Sequence, residues 1–331
     1  MVRDKIQIVL VTYNRIEYLR RTLNHIFDAN SPIKDCDITI LDNASTDGSS
    51  ELIQEYANTY HNVKHIRRSI NIGGNANIVR AFEYGAACGK EYVWVLCDDD
   101  KYDFSSWSQV EKEIENKTDI ICVSNYLVPV DKFEKFSYQL FQLTFVPGAL
   151  YRTELITDSV LICMYDAIST MFTQSCIPIS AYNKNKTIKI LPAEIVHNGQ
   201  MYDDRCLDVS YNRGAEDFVL ERKKYISWVI GYCNVLTLLN DMHLRKECLE
   251  VAISSPLITY GWSWFFHTQL APLLFSVNKR SYFFEVFKNL KTKWQILFIL
   301  SVVFSPIIVI YNEPNHIFFK FFGFIKLKIK K

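Results

Sequence analysis

Residues 92–103 read YVWVLCDDDKYD, six apolar residues followed at once by three aspartates. A continuous apolar run of this length is typical of a strand buried on both faces, as in parallel sheets covered by helices. Carboxylates that directly follow such a strand lie at its carboxyl end, where open α/β sheets bind their ligands. The stretch therefore predicts an α/β protein with an acidic ligand site at the edge of its sheet.

Other strand patterns lie on both sides of this stretch, and helical periodicity separates them. They are IQIVLVT (Ile6–Thr12), DITIL (Asp37–Leu41), VKHI (Val63–Ile66) and DIICVS (Asp119–Ser124). Alternating strands and helices predict a doubly wound, mainly parallel sheet. Farther along, FVPGALYR and TIKILPAEIVHN predict more strands, and from Gly214 on the pattern is helical. We expect a catalytic domain over residues 1–213, with halves 1–125 and 126–213, and a helical C-terminal region over 214–331.

The charge is unevenly distributed along the 331 residues, although the net charge is only +1. From Asn278 to the end there are ten Lys or Arg and two acidic residues, or +8, which leaves −7 for the rest. A mildly acidic body with a basic end indicates an anionic membrane surface as the partner of that end, and no nucleic acid partner is expected. Nine cysteines without a CxxC pair, and no signal-peptide pattern, favour a reduced cytoplasmic setting.

The three aspartates suit a metal ion. In an extended chain Asp98 and Asp100 point to the same side, roughly 7 Å apart, while Asp99 points away. Two carboxylates that converge repel each other unless a cation lies between them, and Mg²⁺ or Mn²⁺ prefers such oxygen ligands. The alternative is a solvated acidic turn that caps the next helix. The position directly after an apolar strand favours the metal.

Two more polar loops follow predicted strands. LDNASTDGSS contains Asp42 and Asn43, which can accept or donate hydrogen bonds to a base or ribose, or simply form a turn. NIGGNAN (Asn71–Asn77) opens a helix, and Gly73 and Gly74 let backbone amides approach a phosphate or sugar, unless they too form a plain turn. The loop is not the GxGxxG fingerprint, which disfavours a nicotinamide-binding fold.

In this order and spacing, TYNR, LDNASTDGS, NIGGNAN and VWVLCDDD resemble the inverting family-2 glycosyltransferases of the GT-A fold over about residues 5–103. The resemblance implies a nucleotide-diphosphate-sugar donor, with a UDP-sugar favoured. It implies donor binding by Thr12, Tyr13, Asn14, Arg15, Asp42, Asn43, Asn71, Gly73, Gly74, Asn77, Asp98 and Asp99. Among these, Asp42 would contact the base, and Asp98 would lie by the ribose or sugar. Asp100 would bind the metal, with Asp98 and His197 as further ligands.

Inverting transfer also needs a base that takes the proton from the acceptor hydroxyl. In the order that the resemblance implies, Asp166 of MYDAIST is the base and His197 follows it, although Tyr165 replaces the usual Glu. Glu216 and Asp217 form a rival pair, which could equally be the acidic first turn of a helix. For His197 the alternative is an ordinary packed or surface histidine. The acceptor would be a glycan or a lipid-linked oligosaccharide.

The C-terminal region holds an uncharged stretch of 18 residues, Trp294–Tyr311, between two basic flanks. Because both flanks are basic, the pattern favours an interfacial or re-entrant segment at the cytoplasmic leaflet over a single span, and we assign membrane association to residues 279–331. A core helix with a solvated basic end is the alternative.

Two other functions fit parts of the pattern. A sugar nucleotidyltransferase would need a Gly-rich, basic loop after the first strand, which TYNRIEYLRR lacks. A non-catalytic, membrane-bound nucleotide-sugar-binding protein would not need the intact run from Asp98 to Asp100. Both considerations favour the transferase.

Overall fold

The computed structural model describes residues 2–125, 127–197, 228–254, 270, 274, 280–304, 308–313, 316–321 and 325–330. The chain divides into two compact units, Met1–Ile226 and Ser227–Lys331. The domain boundary predicted at residues 213 and 214 lies outside the described residues.

The first unit is built on a seven-stranded sheet. Its strands are β1 (Ile6–Thr12), β2 (Asp37–Asp42), β3 (Val63–Arg67), β4 (Tyr92–Cys97), β6 (Ile120–Cys122), β7 (Ala149–Arg152) and β8 (Ile188–Ile190). Its helices are α1 (Ile16–Ile26), α2 (Ser49–Thr59), α3 (Gly74–Ala87), α4 (Trp107–Glu115), α5 (Phe136–Gln142), α6 (Asp158–Asp166) and α7 (Cys176–Asn183). Two short strands, β5 (Lys101–Tyr102) and β9 (Val196–His197), pair antiparallel beside the sheet.

The strand order is β3-β2-β1-β4-β7-β6-β8. The first four strands are parallel, β7 runs antiparallel to β4 and β6, and β8 is parallel to β6. The predicted doubly wound, mainly parallel sheet is thus confirmed. In the register, Thr12 lies beside Asp42, and Val11 lies beside Cys97. The polar loops after β1, β2 and β4 therefore meet at one edge of the sheet.

The sheet is buried on both faces, which explains the continuous apolar strands. Leu10, Trp94 and Leu96 are fully buried, as expected when helices cover both sides. Helix α3 packs very close to β4 at Gly85, where an added Cβ would lie 2.2 Å from a Val93 methyl carbon. This close packing holds α3, and the loop that precedes it, in a defined position above the sheet.

The second unit combines helices and strands. Its helices are α8 (Trp228–Leu236), α9 (Met242–Ser254), α10 (Arg280–Lys288) and α11 (Thr292–Phe304). An antiparallel sheet follows, of β10 (Ile308–Glu313), β11 (His316–Phe321) and β12 (Ile325–Lys330). The carboxylate of Glu250 in α9 contacts both Lys291 and Lys293 and accepts a hydrogen bond from the Trp294 indole, so that α9 is tied to the start of α11.

Strands β10 to β12 were not predicted from the sequence, in which the pattern from Gly214 on is helical. Helix α11 ends at Phe304, and β10 begins at Ile308. Pro306 lies between them, and proline lacks the amide hydrogen that a continuing helix needs. The alternation of apolar residues and lysines beyond Asn315 has the period of a strand. Among the residues that the structure describes, no helix combines the length and apolarity needed to cross a bilayer.

Candidate functional site

The acidic turn after β4 is held by two residues of the TYNR loop. Thr12 Oγ1 donates a hydrogen bond of 2.6 Å to Asp98 Oδ2. The Arg15 guanidinium bridges the first two aspartates, with Nη1 3.1 Å from Asp98 Oδ1 and 2.7 Å from Asp99 Oδ2. The ends of β1 and β4 are therefore joined by charge-assisted hydrogen bonds, which are stronger than neutral ones.

Helix α1 holds the backbone of the same turn. Thr22 Oγ1 donates to the Asp98 carbonyl at 2.8 Å, and Arg21 Nη2 donates to the Asp99 carbonyl at 3.0 Å. Strand β4 ends at Cys97, and a turn follows. The side-to-side alternation expected for an extended chain consequently does not continue through the aspartates.

The turn places a different set of ligand atoms together from the set predicted. One ligand atom each of Cys97, Asp99 and Asp100 lies within 4.8 Å of the others, whereas Asp98 and His197 are not part of this group. Two carboxylate oxygens at this spacing suit a single divalent cation. Burial raises the pKa of the Cys97 thiol well above its usual range, as does Asp100 beside it. A protonated thiol is a poor ligand for Mg²⁺ or Mn²⁺, so the carboxylates are the fitting donors.

The three aspartates are all buried. Burial raises the pKa of Asp98 to about 6, and Asp99 adds to the increase, although Arg15 and Thr12 act in the opposite direction. The same contacts, Asp98 first, raise the pKa of the Arg15 guanidinium. The turn is therefore a dense cluster of negative charge that Arg15 organises.

Asp42, at the end of β2, is fully buried, and one of its two carboxylate oxygens accepts a hydrogen bond from the protein. Its Oδ1 accepts a hydrogen bond of 2.8 Å from the Ser45 amide. Its Oδ2 has no hydrogen-bond partner, with Arg67 Nε at 3.4 Å and His65 Nε2 at 3.9 Å. Burial alone would raise the pKa of Asp42, but His65 and Ser45 outweigh burial and lower it. A buried carboxylate oxygen without a partner is costly unless a ligand completes it.

The loop before α3 is tied to the loop after β2. The Asn43 side-chain amide donates to Asn71 Oδ1 at 2.7 Å, and Asn43 Oδ1 accepts from the Ile72 amide at 3.1 Å. Gly73 has a φ of 87°, a left-handed value that glycine adopts without strain. At Gly74 an added Cβ would meet no atom within 4 Å, so a ligand has room to approach the backbone there. Asn77 lies in the first turn of α3, where its side chain reaches the Leu41 carbonyl at 3.4 Å.

The TYNR loop is tied to the same loop after β2. Asn14 has a φ of 51°. Its backbone amide donates to Ser45 Oγ at 3.0 Å, and its Oδ1 accepts from the Thr46 amide at 2.7 Å. Tyr13 is half-buried beside it. The residues predicted to bind the donor thus lie on the acidic turn or in and beside three loops, of which the loop after β2 is bonded to both of the others.

The predicted catalytic residues have different outcomes. Asp166 is the last residue of α6 and is exposed. The turn after it is held by α3, since the Asn75 side-chain amide donates to the carbonyls of Ile168, at 2.9 Å, and Thr170. Asp217 lies outside the described residues.

His197 lies next to the acidic turn through its backbone. It pairs with Lys101, the residue after Asp100, across the β5–β9 ladder. Its Nδ1 lies 3.2 Å from Glu194 Oε2. The strand pairing therefore holds His197 near the turn, while its imidazole contacts an acidic side chain of its own segment.

Several residues of the site were missed from the sequence. His65 and Arg67 of β3 approach Asp42, and Asn75 links α3 to the segment after Asp166. A signal for Arg67 was present, because it ends β3 at the same sheet edge as the other loops. Nothing in the sequence pattern indicated the partner of Asn75.

Comparison with known proteins identifies the family of the chain. Residues 7–175, half of the chain, match the family model of Glycosyl transferase family 2. The chain therefore belongs to glycosyltransferase family 2.

The sequence alignments with individual proteins cover only part of each chain. The chain is 32% identical over 116 residues to abequosyltransferase RfbV of Salmonella typhimurium, which is 35% of this chain and 34% of that protein. It is 34% identical over 70 residues to the poly(ribitol-phosphate) beta-glucosyltransferase of Bacillus spizizenii, which is 21% of this chain and 11% of that protein. The alignments thus span about a third or less of these relatives.

The fold similarity covers nearly the whole chain. The structure of S. aureus TarS 1–349 in complex with UDP superposes with a TM-score of 0.59 at 15% identity, covering 96% of each chain. The same protein in complex with UDP-GlcNAc gives a TM-score of 0.55 at 13% identity, covering 96% of this chain and 97% of that one. The fold of this chain is accordingly GT-A, with a partly helical C-terminal region.

Proposed function

We propose that the protein transfers a sugar, with inversion, from a nucleotide-diphosphate sugar to a hydroxyl of a glycan or lipid-linked acceptor. The observation that carries this proposal is the convergence of Thr12, Arg15 and the three aspartates at one sheet edge of a family-2 chain. A screen of UDP-, GDP- and dTDP-sugars with Mn²⁺, measuring hydrolysis and transfer, tests it. Release of no nucleoside diphosphate from any donor would contradict it and favour a non-catalytic sugar-nucleotide-binding protein.

The surroundings of Asp42 are compatible with a uracil or thymine base. Asp42 Oδ2 has no hydrogen-bond partner, so it can accept the N3–H of such a base. Arg67, 3.4 Å from the same oxygen, supplies a donor for a neighbouring base carbonyl. These contacts support a UDP-sugar as donor, with a dTDP-sugar as the alternative.

A divalent cation, Mn²⁺ or Mg²⁺, fits the oxygens of Asp99 and Asp100. When bound, such an ion neutralises the developing charge on the departing diphosphate. The remaining residues organise this site, since Arg15 and Thr12 hold Asp98, and α1 holds the backbone of the turn. His197, predicted as a third metal ligand, remains a proposal, supported by its pairing opposite Lys101.

Asp166 is our proposed base, with Asp217 as the alternative. A base must reach the acceptor hydroxyl, and Asn75 ties the turn after Asp166 to the loop of Gly73 and Gly74, which we assign to the donor. Its exposure leaves the carboxylate open to an incoming acceptor. Single displacement needs only this one proton acceptor, because the nucleoside diphosphate leaves from the opposite face of the sugar.

We further propose peripheral binding to the cytoplasmic face of an anionic membrane through the C-terminal unit. Helix α11 exposes four large apolar side chains, which are Ile296, Leu297, Ile299 and Leu300. Lys288 and Lys293 lie in the same segment, with more than half of each side chain exposed. Exposed apolar residues with flanking lysines are typical of interfacial helices. A membrane position would bring the enzyme to lipid-linked acceptors.

A further inference from the structure

Asn75 joins the loop before α3 to the segment that follows α6. It lies directly after Gly74, in the first turn of α3. Its side-chain nitrogen donates one hydrogen bond to the Ile168 carbonyl, at 2.9 Å, and another to the Thr170 carbonyl. A side-chain amide carries two hydrogens, so both of them are used on this one segment. Asn75 therefore holds the backbone on both sides of Ser169.

The segment after α6 is closed by its own hydrogen bonds. Ala167–Ser169 form one turn of 3-10 helix. Thr170 donates to the Ala167 carbonyl twice, from its amide at 2.8 Å and from its hydroxyl at 2.7 Å, and the same hydroxyl oxygen accepts from the Phe172 amide at 3.0 Å. Both Ala167 and Thr170 are buried. A shift of the Thr170 carbonyl would therefore move the whole segment, together with Asp166, which directly precedes it.

A second contact joins α3 to α6 on the other side of Asp166. The Tyr165 hydroxyl donates to Glu83 Oε2 at 2.6 Å, and Glu83 also forms an ion pair with Arg80. Helix α3 is itself fixed on the sheet by its close packing at Gly85. The residues before and after Asp166 are thus both attached to α3, so the position of this helix sets the position of the exposed carboxylate.

The residues that precede Asn75 belong to the side of the site that we assign to the donor. The Gly73 amide donates to Asn71 Oδ1 at 2.8 Å, and the same oxygen accepts from Asn43. Gly74 leaves room for a ligand beside the backbone. The point where a ligand can approach and the side chain that holds the segment after α6 are therefore neighbours in the chain. A displacement of about 1 Å between reacting groups can cost about 100-fold in rate.

We propose that Asn75 is a positioning residue for transfer, which sets the place of the Asp166 segment relative to a sugar bound beside Gly73 and Gly74. The inference rests on the proposed transferase function and extends it, because Asn75 acts through the backbone of another segment. Without the Asn75 amide, the donor still binds, but the acceptor hydroxyl and its base are misaligned. Water can approach a bound donor from more directions than an acceptor can, so hydrolysis should fall less than transfer.

Asn75→Ala in the full chain tests this role. The assay uses a panel of UDP-, GDP- and dTDP-sugars with Mn²⁺, and methyl glycosides of glucose, galactose and mannose as acceptors. We expect kcat for transfer to fall about 100-fold, while the Kd for UDP from calorimetry is unchanged and hydrolysis falls less. Asn75→Asp has nearly the same size, but its carboxylate cannot donate to the two carbonyls, so it should lose as much transfer as the alanine variant.

The matched control is Asn62→Ala. Asn62 is half-buried like Asn75, and its side-chain nitrogen also donates to two backbone carbonyls, those of Lys34 at 2.8 Å and Cys36 at 2.7 Å. This pair lies before β2, at the end of the sheet opposite to the acidic turn. Both alanine variants lose the same kind of contact and should unfold at lower temperature, but Asn62→Ala should keep the kcat of the unmodified protein.

Equal kcat values for transfer in Asn75→Ala and Asn62→Ala would overturn the proposal, as would a loss of UDP affinity in Asn75→Ala that matches its loss of transfer. A selective loss in Asp166→Asn without one in Asn75→Ala would keep the base and reject the positioning role. Turnover of no donor by the unmodified protein would contradict the transferase function, and the positioning role with it. If Asn75→Ala does not fold, Asn75→Asp takes its place in the comparison.

Discussion

Thr12 Oγ1 and Asp98 Oδ2 lie 2.6 Å apart, joining the ends of two adjacent parallel strands. The hydrogen bond fixes the first aspartate of the acidic turn to β1 and leaves Asp99 and Asp100 to form the group with Cys97. The division of roles within the turn therefore follows from the contact between β1 and β4.

Replacing Asp100 tests the metal site. Asp100→Ala should abolish transfer and weaken UDP binding in Mn²⁺, because it removes one of two clustered carboxylates. Transfer assays and calorimetry with and without EDTA measure both effects. Asp103→Ala, an exposed aspartate in the next segment, is the control and should retain activity. Turnover that persists in EDTA and in Asp100→Ala would rule out metal dependence.

The base assignment predicts a selective loss. Asp166→Asn should reduce transfer at least ~100-fold, the scale of positioned base catalysis, while the affinity for UDP stays unchanged. The matched control is Asp158→Asn at the first turn of the same helix, which is also exposed. An equal loss of donor affinity would mark Asp166 as a binding or structural residue. A selective loss in Asp217→Asn alone would move the assignment there.

The base pocket predicts discrimination between nucleotides. Asp42→Asn should weaken UDP binding by ~10-fold or more, because a charged acceptor for N3–H is lost. CDP, which has no hydrogen at N3, should bind the unmodified protein more weakly than UDP, and the difference should shrink in the variant. Calorimetry with UDP, CDP and pyrophosphate measures this, and pyrophosphate binding should not change. Equal affinity of the unmodified protein for UDP and CDP would contradict the proposed contact.

The raised pKa of Asp98 predicts a pH-dependent stability. Between the ordinary value of 3.8 and about 6, the folded chain holds a proton on Asp98 that the unfolded chain has lost. Its contribution to the free energy of unfolding is therefore present at low pH and is lost as the pH rises through about 6, by up to ~3 kcal/mol. Asp98→Asn should remove this component. Thermal unfolding in EDTA from pH 4.5 to 8 measures it, and parallel curves for both proteins would contradict it.

The exposed face of α11 predicts membrane binding with a salt-sensitive and a salt-resistant component. Full-length protein should sediment with phosphatidylglycerol vesicles, and high salt should release only a fraction of it, since salt screens the lysines but not apolar insertion. Replacing Ile296, Ile299 and Leu300 by serine should remove the salt-resistant fraction while donor hydrolysis is retained. Lys184→Ser, an exposed lysine of the first unit, is the control. Failure of the unmodified protein to bind these vesicles would leave the core-helix interpretation.

The order of strands and helices in the first unit could be predicted from the sequence because each element carries its own periodic pattern. The polar loops after β1, β2, β3 and β4 could also be located, since parallel strands bring their carboxyl ends to one edge. The residues that the resemblance predicts to bind the donor lie in or beside these loops. Periodic sequence patterns are therefore enough to predict on which loop a residue lies.

The arrangement within the acidic turn could not be predicted, because strand alternation ends where β4 ends, and the side-chain directions of Asp98–Asp100 then depend on contacts with Arg15 and α1. The strands after α11 could not be predicted either, since hydrophobicity alone does not separate a helix from the strand that follows it. The sequence by itself determined the family, the sheet and the loops that carry the chemistry. Only the tertiary structure decided which oxygens converge and which contacts hold them, because those depend on residues far apart in the chain.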